Sequence, residues 1–379
     1  MSFGSRMKGA IAGVFFGLLL VPGSIALHAW NEYRTIHRTK GLAEAQRDVV
    51  TVSDVSQLMS EYEGKLVHLS GLAHTDEVLA DEEFSIRENG IHLKRHVEMY
   101  QWDESSSRKN DRKTYSYRKG WHEGRINSES FHESGHVNPS LPFKGHRQSA
   151  KQVTLGAYEL TPALLKEMDE WQNITLNEAA VLEAVGAEGD GHFLVSGNEL
   201  YWGRAKPNPG SPEIGDVRMT FKVVKPADVS VMARLQGRKF STYKTSNGEP
   251  IEDLYYGLMS SDEFVGKLKT ENTIMAWLIR GGGFLMCGIG ISLIFGPAQA
   301  LVSWIPMVGD ITGFMIGVVS FLLASIISLT TISIAWIAVR PLLGITLLVL
   351  TAALIAALVF LRRSTKTEPP IADASMFVN

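Results

Sequence analysis

Apolar residues in this chain are gathered at its two ends, and that segregation constrains the fold more than any motif does. Met7 to Trp30 reads MKGAIAGVFFGLLLVPGSIALHAW. As a helix rising about 1.5 Å per residue it is long enough to cross hydrocarbon, which takes about 20 apolar residues. A second run extends from Trp277 to Phe295 and stops at Gly296-Pro297, and a third extends from Ile311 to Val339. Arg340-Pro341 interrupts the apolar sequence there, and a fourth run follows from Leu342 to Leu361. The expected fold class is α+β: a four-helix transmembrane part with a large, mostly β soluble domain inserted between the first and second spans. The expected boundaries are a first transmembrane helix at 1–30, the soluble domain at 31–276 and a second transmembrane helix at 277–302. A loop and third helix follow at 303–339, a fourth helix at 340–361 and a polar tail at 362–379. A cleaved signal peptide, with Ser24-Ile25-Ala26 as a small-x-small processing site, is the rival reading of the first run.

Gly9, Gly13 and Gly17 recur every fourth residue in the first run, and Gly309, Gly313 and Gly317 repeat the pattern at the start of the third. Such faces let helix backbones approach closely in lipid, which a discarded leader has no use for. They could pack within one chain, the simpler reading, or between chains.

Charge follows the same segregation. Only seven of the 37 Lys/Arg and three of the 40 Asp/Glu lie outside 31–276, so the middle carries a net charge of −7. That balance gives no basis for nucleic-acid binding, which needs a basic face to pair phosphates. The single cysteine, Cys287, lies inside the second run, so neither an internal disulfide nor a cysteine metal site is available. Four spans put Arg6, Lys8, Arg362, Arg363 and Lys366 on one side, and Arg34, Arg38, Lys40 and Arg47 with the large domain on the other. Long loops weaken the rule that basic flanks stay inside, so charge leaves the orientation open.

Within the middle, Val217, Met219, Phe221 and Val223 alternate as one face of a strand, and Val229, Val231, Ala233 and Leu235 repeat the pattern after Lys225-Pro226-Ala227-Asp228. The spacing predicts a hairpin. Leu66–Ser70 and His96–Trp102 read as further strands, the latter followed by a polar loop over Asp103–Arg112 and a return strand at Thr114–Trp121. Tyr100, Trp102, Tyr115, Tyr117 and Trp121 read as core. Helices are expected at Thr161–Trp171, with Pro162 at its first position, and at Ser260–Ala276, which opens on a capping-box spelling and can continue into the second span.

His132-Glu133-Ser134-Gly135-His136 has the spelling of a zinc-protease signature. That chemistry needs both histidines on one face of a helix with the glutamate as general base. Gly135 inside the motif, and Pro139 and Pro142 just after it, preclude the helix, so the stretch reads as a loop. His92, His96, His122, His132, His136 and His146 could still form a metal site across loops, yet no third ligand is evident and surface histidines explain them without one. No nucleophile elbow or phosphate loop occurs, and no cofactor is expected. The apolar runs contain no Asp or Glu, and their cations Lys8 and Arg280 sit at edges, so an ion-coupled pump is not indicated. A pore lined by Ser325, Ser328, Thr330, Thr331 and Ser333 is a further alternative, although such hydroxyls commonly bond back to their own helix.

From Lys94 and Arg95 through His96, Glu98, Tyr100 and Trp102, the sequence resembles the transmembrane protein 43 family. Further matches are Tyr115-Ser116-Tyr117, Ile126-Asn127-Ser128 with Phe131, Gly135-His136, Asn138-Pro139-Ser140, Ile214 to Arg218, and Arg340-Pro341. The resemblance implies one span, a large lumenal or periplasmic domain, three more spans and cytosolic termini. It further implies a scaffold that self-associates and holds other membrane, lumenal or periplasmic proteins. Its setting would be the endoplasmic reticulum and inner nuclear membrane of a eukaryote, or a bacterial inner membrane. No catalytic residues come with the resemblance, and no enzyme activity is expected. His136 stands out as a structural or recognition residue.

Overall fold

The first helix, α1 (Phe3–Asp48), runs for 46 residues and passes through Ser24-Ile25-Ala26 without interruption. It therefore extends well beyond the apolar run that announces it, because a helix with a charged continuation shows no apolar periodicity there. The computed structural model describes residues 3–109, 112–186, 191–302, 308–337 and 341–364. It divides into two units, residues 44–265 and residues 1–43 with 266–379. Those limits lie inside the expected 31–276, since helix continues on both flanks of the soluble segment.

The 44–265 unit is built on two sheets. In the first, Leu66–His74 pairs antiparallel with Ala227–Gln236. A second path, through Thr154–Leu155, Tyr158–Glu159 and Lys239–Ser241, returns to Ala227–Gln236 and closes a small barrel. The second sheet has the order His192–Ser196, Glu199–Gly203, Val217–Val224, His92–Lys109, Arg112–Glu123. Val217, Met219, Phe221 and Val223 are fully buried, as the alternation requires, and share one core with Val97, Met99, Leu69, Val229 and Val231.

Two expectations fail here for physical reasons. Val217–Val224 and Ala227–Gln236 are not a hairpin: they belong to different sheets, the first pairing with His92–Lys109 and the second with Leu66–His74. Each strand buries a face, but Lys225-Pro226 carries the chain from one layer to the other, and alternation cannot distinguish that step from a hairpin turn. The expected loop at 103–112 is largely strand, because His92–Lys109 and Arg112–Glu123 pair from Glu98↔Glu123 out to Lys109↔Arg112. A strand stretch exposed on both faces needs no apolar residues, so exposed Ser105-Ser106-Ser107 gives no strand pattern.

Two short helices complete the unit. Helix α2 (Pro162–Lys166) is capped by the Thr161 hydroxyl, 3.3 Å from the Leu164 amide, and stops earlier than expected. Helix α3 (Glu178–Val185) is capped by Asn177 and has no counterpart among the expected helices.

Helix α4 (Ser261–Ile294) opens on a complete capping box. The Ser260 amide donates to Glu263 Oε2 (2.8 Å) and the Glu263 amide to the Ser260 hydroxyl (3.3 Å). It continues unbroken into the apolar run. Helices α5 (Gly296–Val302), α6 (Val308–Ile337) and α7 (Pro341–Ser364) follow. Among the described residues three helical segments are long and apolar enough to cross a membrane, within Met7–Asp48, Ser261–Ile294 and Gly309–Ile337. In α7 the apolar stretch, Gly344–Ala357, is shorter.

Candidate functional site

The outer face of the second sheet gathers most of the residues that the sequence singled out. Along His92–Lys109, Val97 and Met99 point into the core, so His96, Glu98, Tyr100 and Trp102 lie on the opposite, half-exposed face. Register brings Arg218 opposite Glu98, Tyr201 opposite Arg218 and Trp121 opposite Tyr100. Arg218 donates from Nε (3.0 Å) and Nη2 (2.7 Å) to Glu98 Oε2, and its guanidinium lies over the Trp121 ring, 4.8 Å from the centroid. Trp121 in turn packs against Tyr100, with ring centroids 5.4 Å apart, and against Tyr201. The Tyr201 hydroxyl donates to Glu199, and burial, reinforced by that carboxylate, pushes its pKa up. His96 lies 3.4 Å from Glu123 at the margin of the patch.

The five aromatics expected as core are therefore not core. Tyr100, Trp102, Tyr115, Tyr117 and Trp121 are only half-buried, and the interior is filled by aliphatic residues, Phe and Tyr158. The strand alternation holds, but the side facing the core belongs to Val97 and Met99 and not to the larger residues. Arg95 does point inward, is nearly buried, and pairs with Asp81 (3.3 Å) and Glu83 (2.5 Å) while covering the Phe84 ring. Burial pushes the Asp81 carboxyl above the usual range, and Arg95 partly opposes it.

The HESGH stretch is a loop laid on the ribbon, with Gly135 at a φ of +100°. His132 stacks on Tyr115 (4.0 Å, 9°) and His136 on Tyr117 (3.9 Å, 7°), with Trp102 edge-on to His136 at 4.5 Å. Tyr115 and Tyr117 are two residues apart on one strand, roughly 7 Å, so each histidine is held over its own ring and the pair does not converge on one ion. Glu104 accepts hydrogen bonds from the Tyr117 hydroxyl (2.6 Å) and the His132 amide (2.6 Å), which hold its carboxyl below the usual range. Among the described residues no three His, Cys, Asp or Glu side chains could hold a metal ion. Asn138 anchors the loop to the backbone of Trp102. Pro139 lies where a side chain at Gly215 would clash, 2.9 Å from its Cγ.

In the other unit, sequence reasoning missed a buried polar cluster. Glu32 of α1 is fully buried and binds Arg280 of α4 through both oxygens, with Nε and Nη2 each at 2.7 Å, while the Trp336 indole of α6 donates to the same carboxylate. One turn away His28 lies against Gly283, where a side chain would have no room, and its Nε2 sits 3.0 Å from the Ser328 hydroxyl. The available signal was a lone charge at the margin of each of two apolar runs.

The glycine faces divide. A side chain at Gly17 would collide with Gly290 and with Ile294 (2.8 Å), and one at Gly13 would press on Leu293 at 3.3 Å, so both serve packing within the chain. A side chain at Gly313 would press on the Gln299 amide (2.8 Å), whereas one at Gly9 or Gly317 would start in open space. Gly309 falls at the start of the third apolar helix. Of the hydroxyls considered for a pore, Ser325, Thr331 and Ser333 bond back to Phe321, Ile327 and Leu329 of their own helix. Pro341 is the exposed first residue of α7, and Arg340 lies outside the described residues.

The sequence profile of the transmembrane protein 43 family matches residues 99–341, from the half-exposed sheet face to the start of α7. The chain belongs to the transmembrane protein 43 family. It is 30% identical over 361 residues to transmembrane protein 43 of Mus musculus, covering 90% of this chain and 88% of that one. The Homo sapiens protein is 29% identical over 378 residues (94% and 91%), and the Drosophila melanogaster homolog 29% over 367 residues (89% and 92%). No solved structure matches. The family membership and the apolar helices make this a membrane protein, and the relatives are named for their transmembrane character and not for an enzymatic activity.

Proposed function

We propose that this family member is a multi-pass membrane scaffold, not an enzyme, with α7 as a fourth crossing and the 44–265 unit on the periplasmic or lumenal side. The helices anchor and self-associate, and the second sheet's outer face docks other proteins. The observation that carries this reading is the composition of that face. Tyr100, Trp102, Trp121 and Arg218 stand half-exposed on one surface, backed by buried Tyr201 and held rigid by register and by the Glu98–Arg218 pair. Tyr, Trp and Arg are the residues that carry most binding energy in protein interfaces, since each offers large contact area with a polar handle.

The test places a photo-crosslinking residue at Lys119, beside Trp102 (4.8 Å from the ring centroid), in full-length protein in its native membrane. A discrete adduct of defined mass, lost in Trp121→Ala and Arg218→Glu variants that stay folded, supports docking. Adducts unchanged by both substitutions sink it. Self-association is read separately, as the multimer in nanodiscs: Gly9→Leu and Gly317→Leu, at positions with open space, should weaken it. Sidedness is read by labelling cysteines placed at Ser106 and Ser364 in a Cys287→Ser background with an impermeant reagent. Labelling at 106 alone from the periplasmic or lumenal side agrees with the proposed orientation.

A further inference from the structure

We propose that the tip of the His92–Lys109/Arg112–Glu123 ribbon is a docking surface for the anionic headgroups of a lipid bilayer. Past Tyr100, which still bonds to the 215–216 backbone, and Trp102, which bonds to Asn138, the first strand is paired only with the second. The ribbon therefore extends about 20 Å past that point at roughly 3.3 Å per residue. Its last rungs place Arg108 opposite Lys113 and Lys109 opposite Arg112. Like charges directly across a ladder oppose pairing, so this composition works against the ribbon's own stability. The hexapeptide Arg108-Lys109-Asn110-Asp111-Arg112-Lys113 holds four cations and one acid, in a domain whose net charge is otherwise acidic. Arg108, Arg112 and Lys113 are exposed. Lys113 lies 4.7 Å over the Tyr115 ring, which stacks on His132, so an aromatic stack backs the cations.

The charge calls for an anionic partner, and chain connectivity selects the bilayer. The unit is joined at both ends to helices that are apolar and long enough to span, so a membrane surface is held at high effective concentration. Each Lys or Arg near an anionic surface is worth roughly a fivefold increase in local concentration, and tyrosines suit the headgroup zone.

The test uses the full chain in nanodiscs, with an environment-sensitive dye on Ser106→Cys in a Cys287→Ser background and a spin-labelled headgroup lipid as quencher. Discs of phosphatidylcholine alone are compared with discs in which roughly a third is phosphatidylglycerol. The expected result is stronger quenching in anionic discs, returning to the neutral-disc level at high salt and in Arg108→Glu/Arg112→Glu/Lys113→Glu. Arg108→Lys/Arg112→Lys should retain it. Equal quenching in both lipids overturns the proposal, as does salt-independent quenching. So does quenching that survives charge reversal, or a dye response that needs an added acidic protein and ignores the lipid. The salt series needs no charge variant, so the outcome stands even if charge reversal perturbs folding.

Discussion

The Asn138 side chain pairs with both backbone groups of Trp102: its Oδ1 accepts from the Trp102 amide (2.8 Å) and its Nδ2 donates to the Trp102 carbonyl (2.9 Å). A carboxamide thereby occupies the place of a neighbouring strand's peptide, just past the point where Val217–Val224 stops pairing with the ribbon. Asn138 is buried, and its Nδ2 also reaches the Ile126 carbonyl (3.3 Å), so one side chain closes the ladder and ties down the 126–138 loop. Asn138→Ala leaves buried backbone groups without partners and should cost about 1–3 kcal/mol. Asn138→Asp, which keeps the acceptor but has no donor, should cost a comparable amount. Denaturant unfolding of the purified protein followed by tryptophan fluorescence reads both, and an unchanged midpoint in Asn138→Ala would show that the pairing contributes nothing.

That contact also marks where the sequence stops being informative. The apolar runs, the buried face of Val217–Val224 and the capping box at Ser260 were legible, because each is a local pattern with a local physical cause. Pro139 and Gly135 were enough to deny HESGH a helix. The partners of these residues were not legible. Nothing in one strand tells which strand lies beside it, so Arg218 over Trp121 and Tyr201 beside Glu199 depend on a register that only the fold supplies. Glu32 lies 248 positions from Arg280 and 304 from Trp336, and each taken alone looks like an interfacial residue at the end of a span.

Because Trp102 lies on the half-exposed face, Trp102→Ala should leave the 44–265 unit folded. Truncating fully buried Phe221, which packs against Phe84 at 5.5 Å, should cost the 3–5 kcal/mol typical of a core aromatic. The comparison is made by near-ultraviolet circular dichroism and thermal melting of the two variants side by side. Collapse of Trp102→Ala to the stability of Phe221→Ala would return the ribbon aromatics to the core.

Stability should fall with acidification, through two buried histidines. Burial lowers the His68 pKa from its ordinary value of 6.5, and neither ring nitrogen has a hydrogen-bond partner. Burial likewise lowers that of His92 from 6.5, with a smaller opposing contribution from the Leu165 carbonyl at Nε2 (2.7 Å). A depressed folded-state pKa means that the unfolded chain takes up protons first. The stabilisation is complete above about pH 6.5 and is lost as pH falls through the folded-state values. Denaturation midpoints measured between about pH 7.5 and pH 5 should therefore decline, and the decline should be shallower in His68→Leu and His92→Gln. An identical slope in wild type and both variants would remove these groups from the account.

The Glu32–Arg280 pair makes the sharpest energetic claim in the helical unit. Glu32 is fully buried, and besides its neighbour Asn31 its partners come from two other helices, Arg280 of α4 and Trp336 of α6. Removing either charge strands the other in a medium that solvates it poorly, so Glu32→Gln and Arg280→Leu should each cost about 3–5 kcal/mol. The desolvation penalty and the ionic attraction disappear together in Glu32→Leu/Arg280→Leu, which should be much closer to wild type than the sum of the single changes. Trp336→Phe removes one donor to the carboxylate while leaving the pair, and should cost about 1.5–3 kcal/mol. Unfolding in nanodiscs across this cycle measures the coupling directly. Additive single effects would mean that the two groups sit side by side without depending on each other, and that α1 is held to its neighbours by the close packing of Gly17 on Gly290 instead.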